Sequence, residues 1–252
     1  MIRYSKYVLF VSLLFCAQLI SAQTTFVVVA ANMKDAFTEI NQEFQKENKS
    51  GLKIIFGSSG NLASQIMNGA PFHLFISADE QYPIELFKKG KTIDEGKIYA
   101  IGTLALISNK AKGISVQDSR EGILNAITKA NKIALAKPEL APYGKASVEY
   151  LKANDLWDLA KNKIVFADNI AMATMFVTTG SADIGFTALS IAKSPVVLKE
   201  TTFIELNKTF YQPIRQRMIL IKTATPDAKK LYEFMQSSKA KAILQSYGFE
   251  TP

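Results

Sequence analysis

The sequence has almost no cysteine or histidine. Cys16 and His73 are the only residues of these two types among 252, so an intrachain disulfide and a zinc site built from several Cys and His ligands are excluded. A Ser-His-Asp triad or a histidine general base would have to use His73. That residue lies in an apolar run, Phe72–Ser77, which is typical of a strand. We therefore expect a structural or surface role for His73.

The motifs that identify nucleotide-binding proteins and serine hydrolases are also missing. No Gly-x-Gly-x-x-Gly follows a strand, no glycine-rich loop ends in Gly-Lys-Ser/Thr, and no Gly-x-Ser-x-Gly surrounds Ser58 or Ser59. Acidic residues such as Asp79 and Glu85 do not have the spacing of metal ligands. These absences favour a binding protein over an enzyme, with no cofactor and no metal ion ligated directly by side chains. An exported hydrolase that uses Ser58 or Ser59 is the alternative from another class.

Basic residues are in excess, with a formal net charge of +8, but they are not gathered into one run. They occur in separate pairs such as Lys88-Lys89 and Lys229-Lys230. This spread indicates a solvated surface and not a nucleic-acid-binding patch. A mildly positive field would still attract an anionic ligand.

The first 22 residues have the pattern of a secretory signal peptide. Met1–Lys6 is basic, Tyr7–Ile20 is almost wholly apolar, and Ser21-Ala22 provides small residues for cleavage before Gln23. The apolar run is short for a bilayer span. Cys16 lies in this segment, and the bulky Phe15 before it does not fit a lipoprotein signal. We therefore expect export as a soluble protein without a thiol, after cleavage near Ala22.

Four polar turns follow apolar strand-like runs and precede helical patterns. The turns are centred on Asn32, Ser59, Tyr143 and Ile170. Alternating strands and helices predict parallel α/β sheets, in which ligands bind at the carboxyl ends of strands. Because the first N–H groups of a helix have no partner within it, each turn offers hydrogen-bond donors.

A long apolar run, Ile98–Ser108, divides these turns into two pairs and is predicted to be a strand that crosses between two lobes. Two helix starts in each lobe could then face one another across a cleft. Such a site would suit a tetrahedral oxyanion without any lysine or arginine. The plainer interpretation of Gly57–Asn61 is an ordinary turn with a serine N-cap.

These residues resemble the periplasmic molybdate-binding protein family, the ABC-transporter receptors for molybdate and tungstate. The most specific similarity covers Phe56–Ile66, Gly69-Ala70-Pro71 and Leu74–Asp79, with support from Pro142–Lys145 and Tyr247-Gly248-Phe249. The resemblance implies an α/β, two-lobed type II periplasmic binding protein fold with the ligand cleft between the lobes. The implied divisions are a signal peptide at 1–22, a first lobe at 23–103 and 189–252, and an inserted second lobe at 104–188.

The resemblance also implies which residues contact the oxyanion. They are Ala31, Asn32, the hydroxyl and N–H of Ser59, and the backbone N–H groups of Tyr143 and Ile170. A tyrosine hydroxyl that part of the family uses matches Ala188 here, so this contact is missing unless Tyr143 supplies it. Asp168 is expected to cap the following helix.

The function implied by the resemblance is capture of molybdate or tungstate for uptake by an ABC-transporter permease. The protein would act in the periplasm as a monomer, without nucleic acid as a partner. Sulfate, phosphate or a small carboxylate are alternative ligands. The choice between molybdate and sulfate depends on the size of the cavity.

Overall fold

The computed structural model describes residues 24–252. The predicted signal peptide and Cys16 therefore lie outside the described residues. Within residues 24–252, no helix combines the length and hydrophobicity that a bilayer crossing requires.

Among the described residues, ten strands form two sheets of five. The strands are β1 (Thr25–Ala30), β2 (Leu52–Gly57), β3 (Leu74–Ile76), β4 (Lys97–Gly102), β5 (Leu104–Asn109), β6 (Ile133–Ala136), β7 (Ile164–Ala167), β8 (Ile184–Ala188), β9 (Thr201–Glu205) and β10 (Ile214–Leu220). The first sheet has the order β2-β1-β3-β10-β4, and the second has the order β7-β6-β8-β5-β9.

Helices cover both sheets. They are α1 (Lys34–Glu47), α2 (Ser59–Met67), α3 (Gln81–Lys88), α4 (Arg120–Lys129), α5 (Pro142–Ala153), α6 (Trp157–Ala160), α7 (Ile170–Thr178), α8 (Leu189–Ala192), α9 (Pro195–Glu200), α10 (Pro226–Phe234) and α11 (Ser238–Ser246). A 3₁₀ turn, Ala31–Met33, precedes α1.

Each sheet is mixed. In the first sheet β2, β1 and β3 are parallel, and β10 runs antiparallel to its neighbours β3 and β4. In the second sheet β7, β6 and β8 are parallel, and β5 runs antiparallel to β8 and β9. The prediction of parallel sheets is therefore correct for the strands that lead into the four turns and wrong for the strands that cross or return between lobes.

The chain crosses between the lobes at two places. At the first, only Thr103 separates β4 from β5, which confirms the predicted crossing strand within Ile98–Ser108. The second crossing lies between β9 and β10. Because β9 pairs with β5, the second lobe extends to Glu205. It does not end at Ala188, which is the boundary that the resemblance implies. This pairing joins distant parts of the chain, so local sequence patterns do not reveal it.

Apolar side chains fill both lobes. In β1, the side chains of Val27, Val28 and Val29 are fully buried, as expected for a parallel strand covered on both faces. In α1, Phe37, Ile40 and Phe44 recur at helical spacing and are also fully buried. Because these buried side chains hold β1 and α1 in the core, they also set the position of the turn that joins the strand to the helix.

Gly144 allows α5 to begin directly against the end of β6. A Cβ atom at this position would lie 2.2 Å from the carbonyl oxygen of Ala136, a backbone atom that cannot move away easily. The glycine therefore places the first turn of α5 at the carboxyl end of the second sheet.

We expect Gly144→Ala to lower the free energy of unfolding by about 1–3 kcal/mol, because the added methyl group overpacks against backbone. Urea denaturation of both proteins measures the difference. Gly51→Ala is the matched control, since a Cβ at Gly51 meets no atom within 4 Å and should change stability by less than about 0.5 kcal/mol. Equal stability of the two variants would contradict the role of Gly144.

Candidate functional site

The four turns meet at one cavity between the lobes. The cavity has a volume of about 10 Å³ and is lined by Ala30, Ala31, Asn32, Gly57, Ser58, Ser59, Ala78, Ala141, Pro142, Tyr143, Asn169 and Ile170. The structure thus brings together every predicted site residue, namely Ala31, Asn32, Ser59, Tyr143 and Ile170. None of the lining residues is charged. That these residues contact an oxyanion stays a prediction.

Three helices begin at this cavity, at Ser59, Pro142 and Ile170. Their first N–H groups lack partners within the helix and carry the positive end of the helix dipole. Asn169 caps the third of these helices, α7, by accepting a hydrogen bond of 3.0 Å from the N–H of Met172. The prediction that Asp168 caps α7 is therefore wrong: the Asp168 carboxylate instead pairs with Lys137 at 2.6 Å on the surface.

Two neighbouring serines at the start of α2 differ in their hydrogen bonding. The Ser59 hydroxyl oxygen accepts a hydrogen bond of 3.0 Å from the N–H of Ala78, so its own proton is left for another acceptor. The Ser58 hydroxyl is buried and has no partner among the described residues. Ser58 occupies the N-cap position without making the usual side-chain cap. From the sequence, Ser59 is predicted to contact the oxyanion and Ser58 is named only for the alternative hydrolase; its position in the cavity lining adds Ser58 to the candidate site.

Asn32 lies just before α1 but does not cap it. The 3₁₀ turn places Met33 at the N-cap of α1, and the side chain of Asn32 turns inward. Its Nδ2 donates to Oε1 of Gln216 at 3.0 Å, and the backbone carbonyl oxygen of Asn32 accepts from the Ser190 hydroxyl at 2.8 Å. Because Ser190 follows the second sheet, these bonds attach Asn32 to both lobes.

The hydroxyl of Tyr143 lies at the crossing between the lobes. It accepts a hydrogen bond of 3.1 Å from Nε2 of Gln216, and a Cβ atom added at Gly102 would lie 2.0 Å from it. Burial raises the pKa of Tyr143, so the hydroxyl stays protonated. Ala188, where the resemblance implies a tyrosine in part of the family, is buried and does not line the cavity.

Gln216 is a second residue that sequence reasoning missed. It lies in β10 and is fully buried. A signal was present in the sequence, because Ile214, Gln216 and Met218 alternate with Arg215 and Arg217, and such alternation is typical of a strand whose non-arginine residues are buried. A glutamine on the apolar face of a strand indicates a buried hydrogen-bond network.

Two donors of the first lobe bond to backbone carbonyl groups of the second lobe beside the cavity. The N–H of Gly60 donates to the carbonyl of Leu140 at 2.9 Å, and the Tyr82 hydroxyl donates to the carbonyl of Glu139 at 2.8 Å. A Cβ at Gly60 would lie 2.7 Å from the Tyr82 hydroxyl and 3.1 Å from Cα of Leu140. The structure is therefore a closed form in which the first turn of α2 touches the second lobe.

The single histidine has no place in this site. Nδ1 of His73 accepts a hydrogen bond of 2.9 Å from the N–H of Phe26, so the side chain ties β1 to the segment before β3. Burial lowers the pKa of His73. The cavity lies at the other end of β3, beside Ala78. The structural role predicted for His73 is confirmed.

Asp79 lies next to the cavity residue Ala78 and has an unusual pKa. Burial raises the pKa of its carboxyl to about 6, although hydrogen bonds from the Ser77 hydroxyl and from the N–H of Tyr82 favour the ionised form. The carboxylate does not line the cavity. At neutral pH its ionisation therefore costs folding free energy without placing an acceptor among the donors of the site.

Comparisons with known proteins agree with this arrangement. Residues 26–250 match the sequence profile of the family described as "Bacterial extracellular solute-binding protein". The molybdate-binding protein ModA of Azotobacter vinelandii is 35% identical over 94% of this chain and 93% of its own. ModA of Rhodobacter capsulatus is 31% identical over 92% and 90%. The solved structure of the A. vinelandii periplasmic molybdate-binding protein aligns with a TM-score of 0.81 at 30% identity, covering 90% of this chain and 99% of that one.

We expect Asp79→Asn to stabilise the protein at neutral pH and to have little effect near pH 4. The raised pKa means that the native state binds more protons than the unfolded state between pH 3.8 and about 6, so stability falls as the pH rises through this window. Removing the charge should therefore add about 1–3 kcal/mol above pH 7. Urea denaturation at pH 4, 5.5 and 7.5 measures this trend.

The exposed Asp118 provides the control for that experiment. Asp118→Asn should change the free energy of unfolding by less than about 0.5 kcal/mol at each pH. If Asp79→Asn were equally neutral at all three pH values, burial would not be what sets the pKa of Asp79.

Proposed function

Because the chain belongs to the periplasmic molybdate-binding protein family of the bacterial extracellular solute-binding proteins, we propose that it captures molybdate or tungstate and delivers the anion to an ABC-transporter permease. The observation that carries this proposal is the convergence of four turns, two from each lobe, on one cavity without charged lining residues. Neutral donors from both lobes can surround a small dianion when the cleft closes.

The affinity would come from hydrogen bonds alone. A hydrogen bond to a charged acceptor contributes about 1.5–3 kcal/mol, and a micromolar dissociation constant corresponds to about 8 kcal/mol. About six donors therefore suffice, even after the costs of desolvation and closure. The proposed donors are the N–H groups at Ala31, Asn32, Ser59, Tyr143 and Ile170, the Ser59 hydroxyl, and the Ser58 hydroxyl, which has no partner within residues 24–252.

The donor-rich character of the cavity also supports rejection of phosphate. At neutral pH phosphate carries a proton, and that O–H needs an acceptor when it is buried. Asp168 pairs with Lys137 on the surface, and no carboxylate lines the cavity. A protonated oxyanion would therefore find no charged acceptor in the site.

The proposal includes the cellular setting. Cleavage of the signal peptide near Ala22 would release the chain into the periplasm, where it would work as a monomer. Binding across both lobes would stabilise the closed form.

Two alternatives are weaker. Sulfate could be held by the same neutral donors, so cavity size alone would decide against it. A serine hydrolase would need a base beside Ser58 or Ser59, but His73 is committed to Phe26 at the other end of β3. No observation in the structure favours catalysis over binding.

We expect thermal stability of the mature protein to rise with molybdate and tungstate, and to change little with sulfate and phosphate, because a ligand stabilises the native state to which it binds. Isothermal calorimetry on the same samples gives the dissociation constants. Heat with sulfate or phosphate, and none with molybdate or tungstate, would refute the proposal.

Ser58→Ala tests the hydroxyl that has no partner in the described part of the chain. Anion binding should weaken by about 1–3 kcal/mol, whereas the ligand-free protein should be as stable as the wild type, because the substitution removes no hydrogen bond among residues 24–252. Calorimetry and thermal unfolding measure the two quantities.

Ser59→Ala is the comparison. It should weaken binding by a similar amount and also lower ligand-free stability by about 1 kcal/mol, since the buried N–H of Ala78 loses its acceptor. Wild-type affinity in Ser58→Ala would show that this hydroxyl does not reach the ligand.

A further inference from the structure

A buried amide, that of Gln216, connects the cavity to the crossing between the lobes. Its Oε1 accepts hydrogen bonds from Nδ2 of Asn32 at 3.0 Å and from the Tyr99 hydroxyl at 2.8 Å. Its Nε2 donates to the Tyr143 hydroxyl at 3.1 Å. Asn32 and Tyr143 both line the cavity, one from each lobe. Gln216 thus touches site residues of both lobes without lining the cavity itself.

At two places in this network the numbers of hydrogen-bond donors and acceptors do not match. The Oδ1 atom of Asn32 is buried and has no partner among the described residues. The Tyr99 hydroxyl has one proton but two acceptors within reach, the carbonyl of Ser77 at 2.9 Å and Oε1 of Gln216 at 2.8 Å. A buried acceptor without a donor is costly. Beside an anion it would cost more, because its lone pairs would face the negative charge.

Turning over the two side-chain amides together removes both faults. The oxygen and nitrogen ends of an amide have nearly the same shape, so the other heavy atoms keep their positions. Nε2 of Gln216 would then donate to Oδ1 of Asn32 and to the Tyr99 hydroxyl oxygen, leaving Tyr99 to donate to Ser77 alone. The Tyr143 hydroxyl would donate to Oε1 of Gln216, and Nδ2 of Asn32 would face the cavity.

We propose that this exchanged arrangement is the one that holds the oxyanion, and that Gln216 is the positioning residue that fixes it. The side chain of Asn32 then presents a donor, not an acceptor, to the ligand. The inference rests on the proposed function, since it assigns a role to Gln216 in anion binding at the same site. It adds a residue that does not touch the ligand and acts through Asn32.

A double-mutant cycle tests this role. Gln216→Met has a similar volume but cannot bond to Asn32, so anion affinity should fall at least about tenfold. Asn32→Ala should cause a similar loss, and the double variant should bind no more than about twofold more weakly than Asn32→Ala alone. A purely structural role for Gln216 would give the same loss in both backgrounds, and such additive losses, or wild-type affinity in Gln216→Met, would overturn the inference.

Neutron diffraction from crystals of the deuterated wild-type protein with molybdate gives a second test that needs no variant. Nδ2 of Asn32 should point to the anion and Nε2 of Gln216 to Oδ1 of Asn32; the opposite orientation would overturn the inference even if the Gln216 variant failed to fold. Calorimetry on the wild type separates the two proposals. Absence of anion binding refutes the proposed function and this inference with it, whereas binding with an opposite amide orientation refutes the inference alone.

Discussion

The site depends on backbone N–H groups that have no partner within their own helix, because they lie where helices begin. Such groups are costly when buried unless something accepts their hydrogen bonds. Here three helix starts and one 3₁₀ turn, drawn from two lobes, share a single cavity. The cost of each unpaired donor is small while the lobes are apart and water reaches it. When the lobes close and exclude water, these N–H groups need acceptors on the molecule in the cavity. An anion with several acceptor oxygens provides them best.

The lobes position these donors through different means. Gly144 lets α5 approach the end of β6, and Gly60 lets α2 approach the second lobe. Behind the cavity, the buried side chains of Gln216 and Tyr143 join the lobes next to the crossing at Gly102. Small residues therefore permit close contact at the front, and a polar network fixes the geometry at the back. The same cavity is bounded by backbone on one side and by amide and hydroxyl groups on the other.

Local sequence patterns predicted the parts of this site that depend on neighbouring residues. An apolar strand, a small polar turn and a helical pattern placed Ser59, Tyr143 and Ile170 correctly, because those signals lie within a few residues of one another. Gln216 could not be assigned in the same way, since its partners Asn32, Tyr99 and Tyr143 are distant in the chain. The extent of the second lobe was missed for the same reason: β9 belongs there only through its pairing with β5.

The two bonds that join the lobes beside the cavity limit how an anion leaves. Both end on carbonyl oxygens of neighbouring residues, Glu139 and Leu140. A separation of the lobes along this rim has to break both before the cavity opens there. The residence time of the bound anion therefore depends on breaking these two interlobe hydrogen bonds as well as on the contacts of the anion itself. Substitutions at this rim would change the rate of anion release without changing the residues that contact the anion.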